Sequence, residues 1–101
     1  MKIDFNVVLK ALNGETVKGP KSEDIMLKDV CINALNSAAE DMTKVNGQDK
    51  YRRGKLAQKI YNAEGPLEIS SEDITLVKNL IGKKFEPHVV MATWDLLDPM
   101  D

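Results

Sequence analysis

The chain has 101 residues, 43% apolar and 30% charged, with six Gly and four Pro, a mix that excludes a disordered protein and gives one core in a single domain over 1–101. Its formal charge of −2 excludes a surface built throughout for a phosphate backbone, so a nucleic-acid role must come from a local patch. The longest apolar runs, such as VVMA at 89–92, fall far short of the roughly 20 residues that cross a bilayer.

The N-terminal MKIDFNVVLK is broken by Asp4, Asn6 and Lys10, which is unlike the continuous apolar core of a secretory signal. Ile3, Phe5, Val7 and Leu9 alternate with Asp4 and Asn6, the period of a half-buried strand, with Val8 breaking the polar face. Asn13-Gly14 suits a tight two-residue turn, and Glu15 to Lys18 supplies the return strand of a β-hairpin. Gly19-Pro20 ends that hairpin.

Leu27, Val30, Cys31, Ala34 and Leu35 follow at spacings of three and four, the stripe of an amphipathic helix, with Asp24 or Ser22 available as its cap. Ala38 and Ala39 lead into a loop at Asn46-Gly47. A second helix carries KYRRGKLAQK at 50–59. On a helical wheel Leu56, Ala57, Ile60 and Tyr61 cluster on one side, while Arg52, Lys55 and Lys59 fall within about 60° of one another on the other. Arg53 and Lys50 point toward the margin of the apolar side, where long stems cover core surface and charged ends stay wet.

Gly65-Pro66 stops this helix. Leu67-Glu68-Ile69 alternates, and reads either as a third strand or as an extended lead-in. Ser70 with Asp73 three residues on resembles a capping box ahead of Ile74, Val77, Leu80 and Ile81, and Gly82 stands where a left-handed residue would end that helix. Pro87 suits the first position of a last helix, which runs through VVMATWDLL until Pro99 and turns Val90, Trp94 and Leu97 inward.

These elements predict an α+β fold: an N-terminal β-hairpin, with Leu67 to Ile69 as a candidate third short strand, packed on about four α-helices. The expected core is Ile3, Phe5, Val7, Leu9, Leu27, Val30, Ala34, Leu56, Ile60, Ile74, Val77, Leu80, Val90 and Trp94. A lone hairpin is marginal, so helix faces or another copy of the chain must cover it, and its open edge is a natural dimer seam.

The catalytic inventory is short. His88 and Cys31 are the only residues of their kinds and sit on different predicted helices. Cys31 lies in an apolar stripe, where burial raises a thiol's pKa and lowers its reactivity. One His and one Cys cannot assemble a zinc site. Glu68, Glu72 and Asp73 lack the spacing and central Gly of a calcium loop, and Glu72 and Asp73 are explained as acids at a helix start. No phosphate loop, nucleophile elbow or paired-carboxylate motif is present, so neither an enzyme nor a cofactor is expected. A single Cys points to a reducing, cytoplasmic compartment.

The basic segment remains. From Lys44 to Lys59 there are six cations (Lys44, Lys50, Arg52, Arg53, Lys55 and Lys59) against one acid, Asp49. Arg52, Arg53, Lys55 and Lys59, with the neighbouring aromatic Tyr51, are the candidate contacts, for a protein partner or for DNA or RNA. The bland reading is a solvated helix face, since Lys and Arg are good helix formers, and Gly54 loosens the turn. From Glu86 to Asp101 there are four acids and no Lys or Arg, an asymmetry that serves pairing within the fold or between copies.

Three phrases, MKIDFNVVLKALNGE at the start, KLAQKIYNAEGPLEISSEDITLVKNLIGKKF in the middle and VVMATWDLL at the end, resemble small uncharacterised proteins encoded by tailed phages and prophages. The resemblance implies a bacterial cytoplasmic setting and a role in virion assembly, host takeover or regulation. It carries over no site residue. With the empty catalytic inventory it favours a non-enzymatic module that binds a phage or host protein, with homo-oligomers open to it, over a nucleic-acid-binding regulator that uses residues 50–59.

Overall fold

A computed structural model describes residues 2–10, 14–16, 24–36 and 44–98. The fold is α+β, in the order β1 (Lys2–Ile3), α1 (Leu27–Asn36), α2 (Gly47–Asn62), β2 (Leu67–Glu68), α3 (Ser71–Lys84) and α4 (Pro87–Leu97). Strands β1 and β2 pair antiparallel, Lys2 opposite Glu68 and Ile3 opposite Leu67. The segment after Gly65-Pro66 is therefore a strand. The predicted hairpin appears as an antiparallel bridge between Lys10 and Thr16, turning through Gly14 at φ 84°, a left-handed conformation that glycine adopts without strain. Residues 17–18 of the return strand, Asn13, Gly19-Pro20, Ser22 and Ala38-Ala39 lie outside the described residues.

The first segment also serves as a cap. Leu9 N–H donates to the Ile25 carbonyl at 2.9 Å, while Leu27 N–H reaches the Val7 carbonyl at 2.8 Å and Lys28 N–H the Phe5 carbonyl at 2.9 Å. The first turn of a helix has N–H groups with no partner inside the helix. Here the backbone of residues 5–7 fills them. A side-chain contribution comes from Asp29, which accepts from Met26 N–H at 3.1 Å. A carboxylate at the third helical position reaching back to the residue before the helix is half of a capping box.

The helix starts follow their predicted chemistry elsewhere. Asn46 accepts from Asp49 N–H ahead of α2, Ser70 accepts from Asp73 N–H ahead of α3, and Pro87 opens α4. Gly82 does not end α3, which continues to Lys84. A Cβ at Gly82 would lie 3.3 Å from Cζ2 of Trp94, so the residue leaves room for the indole instead of turning the chain.

One core joins the elements. Ile3, Phe5 and Leu9 meet Leu27, Val30, Cys31, Ala34 and Leu35 of α1, Leu56, Ala57 and Ile60 of α2, Ile69, Ile74, Val77, Leu80 and Ile81 around α3, and Leu97 of α4. Helix α1 packs on α2 and α3, and α3 packs on α4. Val7, Val90 and Trp94, expected inside, are only partly buried, and on α4 it is Thr93 that is fully buried alongside Leu97. Its hydroxyl is satisfied locally, donating toward the Val89 and Val90 carbonyls. A threonine can do this in a helix without a tertiary partner.

Candidate partner-binding face

Helix α2 is held from one side only. Leu56, Ala57 and Ile60 are buried and Arg53 is half-buried, while every other residue from Gly47 to Asn62 is exposed. Tyr51, Lys55, Gln58 and Asn62 recur at intervals of three and four, so they share the crest opposite the buried stripe. Lys59 stands on one flank of that crest, and Lys50 on the other.

Of the five candidate contacts, the structure brings Tyr51, Arg52, Lys55 and Lys59 together and separates Arg53. Together with Leu56 and Asp73, those four line a shallow, open depression of about 270 Å³. Lys55 Nζ lies 5.5 Å from the centroid of the Tyr51 ring, within reach of a cation–π contact. Tyr51 itself is 68% exposed. Arg53 sits at the margin of the core as its wheel position predicts, with Nε and Nη1 shielded from solvent.

Arg52 is committed within the fold. Its Nη2 lies 2.6 Å and its Nε 3.1 Å from Oδ1 of Asp73. The hydrogen bond to Asp73, and then the charge of Asp73, push the guanidinium pKa above its usual value. The cation remains charged, with Nε and Nη2 directed at Asp73 of α3. The charge of this face that is not engaged with an acid rests on Lys50, Lys55 and Lys59.

Tyr61 departs from expectation. The wheel placed it with Leu56 and Ile60, but it is 70% exposed. It lies about 100° from Ile60, at the edge of the apolar stripe and one residue from the helix end, where no described element covers it. An aromatic ring at a stripe margin is ambiguous from sequence alone.

A second open face was less legible. On α4, Pro87, His88, Met91, Asp95 and Leu96 are exposed, and Met91 is 46% exposed. Glu86, Pro87, His88 and Met91 line a shallow depression of about 480 Å³. The signal available in sequence was the spacing 88, 91, 95, which is helical but mixed in polarity. His88 Nδ1 lies 3.6 Å from Glu86 Oε2.

Trp94 forms a distinct cluster between α3 and α4. Its Nε1–H donates to the Lys78 carbonyl at 3.1 Å, and Lys78 Nζ sits 4.7 Å from its ring centroid while also reaching Asp98 Oδ2 at 3.1 Å. This cluster is satisfied within the fold and closes α4 onto α3.

Burial pushes the Cys31 thiol up to about 12, which disfavours the reactive thiolate. Among the described residues no group of three or more His, Cys, Asp and Glu side chains is placed to hold a metal ion, and no helix is long and apolar enough to cross a membrane. Compared with protein-family models, curated proteins and solved structures, the chain matches none, so the reading of this face rests on its own chemistry.

Proposed function

We propose that the protein is a non-enzymatic binding module that presents the crest of α2 to a protein partner, in the bacterial cytoplasmic setting that its resemblance to phage and prophage accessory proteins implies. The observation that carries this is Tyr51, a large aromatic left 68% exposed beside Lys55 on a helix whose outer side is open. Exposed tyrosines are over-represented at the centres of protein interfaces, since they supply contact area at low entropic cost. Lys55 and Lys59 on the same side select a partner that is acidic next to an apolar patch.

The basic segment also suits single-stranded nucleic acid, with Tyr51 stacking on a base and lysines on phosphate. Against this second reading, Arg52 is engaged with Asp73 and Arg53 lies at the core margin. Those two arginines would have given bidentate phosphate contacts.

A photo-crosslinking side chain at position 51, compared with one at the exposed Thr75 of α3, tests the proposal. Capture of a specific protein from position 51 alone, lost when Lys55→Glu is added, is the expected result. Equal capture from both positions overturns it. So does a gel-shift with single-stranded DNA or RNA that fades steeply as salt rises, which would transfer the face to the second reading.

A further inference from the structure

We infer that the partner accepted by the α2 crest is the α4 crest of a second copy of this chain, so that copies associate head to tail. The inference rests on the proposed reading of α2 as a protein-binding face. It adds the identity of what that face receives.

The two crests are complementary in sign and in register. Tyr51 and Lys55 on α2 are four residues apart, as are Met91 and Asp95 on α4, and each pair therefore spans about 6 Å of helix. All four side chains are exposed. Tyr51 and Met91 are both the fifth residue of their helices, and Lys55 and Asp95 both the ninth. Laid side by side and parallel, the helices bring the Met91 thioether to the Tyr51 ring, a favoured contact for sulfur, and the Asp95 carboxylate to the Lys55 ammonium. The same register places Asp98 beside Gln58 and Lys59, and His88 beside Gln48. An antiparallel arrangement sets Lys55 against Met91 and Tyr51 against Asp95, and loses both matches.

The charges around each crest agree with this pairing. The exposed side of α2 carries Lys50, Lys55 and Lys59, with Asp49 at its start and Arg52 engaged with Asp73. The exposed side of α4 carries Glu86, His88 and Asp95, with Asp98 touching Lys78, and there is no Lys or Arg beyond Lys84. The crests cannot meet within one chain. Helix α2 packs its buried stripe toward α1, and α4 packs toward α3, which leaves both crests turned to solvent. A contact between two different faces of identical molecules is heterologous, and it closes into a ring or propagates as a chain.

The test is molar mass by light scattering across a concentration series, for the full chain and for Lys55→Asp, Asp95→Lys and the double variant carrying both. Both positions are exposed, and circular dichroism checks that each variant folds. The expected result is a mass that rises with concentration in the original chain, weakening of at least about tenfold in each single variant because reversal turns attraction into repulsion, and recovery in the double variant. A monomer at every concentration overturns the inference, as do single variants that assemble like the original. If the chain is monomeric yet position 51 still captures a different protein, the inference fails and the proposed function stands. Monomer and no capture remove both.

Discussion

Asp73 joins two helices through one side chain: its Oδ1 accepts from both Nε and Nη2 of Arg52, while its backbone N–H donates to the Ser70 hydroxyl that caps α3. The carboxylate therefore meets its cation at a helix start, where negative charge is already favoured. The Arg52 side chain is 47% exposed, so water screens much of the attraction. Replacing Arg52 with Ala is expected to cost about 0.2 to 1 kcal/mol, and the difference should shrink in high salt. Urea denaturation at two salt concentrations measures both. Extending the change to Lys55 and Lys59 leaves the fold intact, because neither side chain reaches the core.

Two glycines inside helices make opposite predictions. At Gly54 nothing lies within 4 Å of an added Cβ, and Gly54→Ala is expected to stabilise by about 0.5 to 1 kcal/mol through helix propensity alone. At Gly82 the added methyl meets the Trp94 ring at 3.3 Å, and that ring is held by its bond to the Lys78 carbonyl. Gly82→Ala should gain clearly less than Gly54→Ala, or lose stability. Paired melting curves of the two variants decide this.

Trp94 is half-buried and packed against the core, with one hydrogen bond to the backbone of α3. Trp94→Ala is expected to cost about 2 to 4 kcal/mol, somewhat below a fully enclosed aromatic. As the only tryptophan it is also an optical probe. Lys78→Ala removes the ammonium from its face and lets water in, so the fluorescence maximum should move to longer wavelength without unfolding.

Cys31 supplies an alkaline limit. Its thiol is raised by burial from an ordinary value near 9.0 to about 12. Between those values the unfolded chain releases a proton that the folded chain keeps, so stability falls as pH rises through that window and is fully present below it. The loss is on the order of a few kcal/mol across the window. Denaturation midpoints of the original chain and Cys31→Ala from pH 8 to 11 should converge or cross as pH rises. A thiol reagent at pH 8 should react with Cys31 only as fast as the protein opens.

The helices were legible because their information is local. The spacing of Leu27, Val30, Cys31, Ala34 and Leu35, the Ser70 cap and the N-terminal Pro87 each act within one or two turns of the chain. Three features were not local. The pairing of Ile3 with Leu67 depends on how α1 and α2 pack between them, and nothing near either residue specifies it. Gly82 has the composition of a helix stop, and only the nearby Trp94 gives it another role. Within the candidate face, the wheel placed Lys55 and Lys59 correctly, but it could not reveal that Arg52 would be claimed by Asp73 on another helix. Tyr61 failed for a related reason, since a residue at the edge of a stripe is buried only if a neighbouring element extends far enough to cover it.

The pairing of β1 with β2 also sets a timetable. Leu67 leaves the ribosome about 3 to 13 seconds after Ile3 at ordinary rates of synthesis. Until then the strand has no neighbour in the sheet, and Asn6 lacks the Ala63 carbonyl that its side-chain amide binds at 3.0 Å. Phe5 and Val7 can engage α1 earlier, since Leu27 and Lys28 emerge soon after them. The N-terminal segment is thus fastened in two stages, first to α1 and last to β2. The earlier-made strand of the pair therefore waits for its partner before it is locked in place.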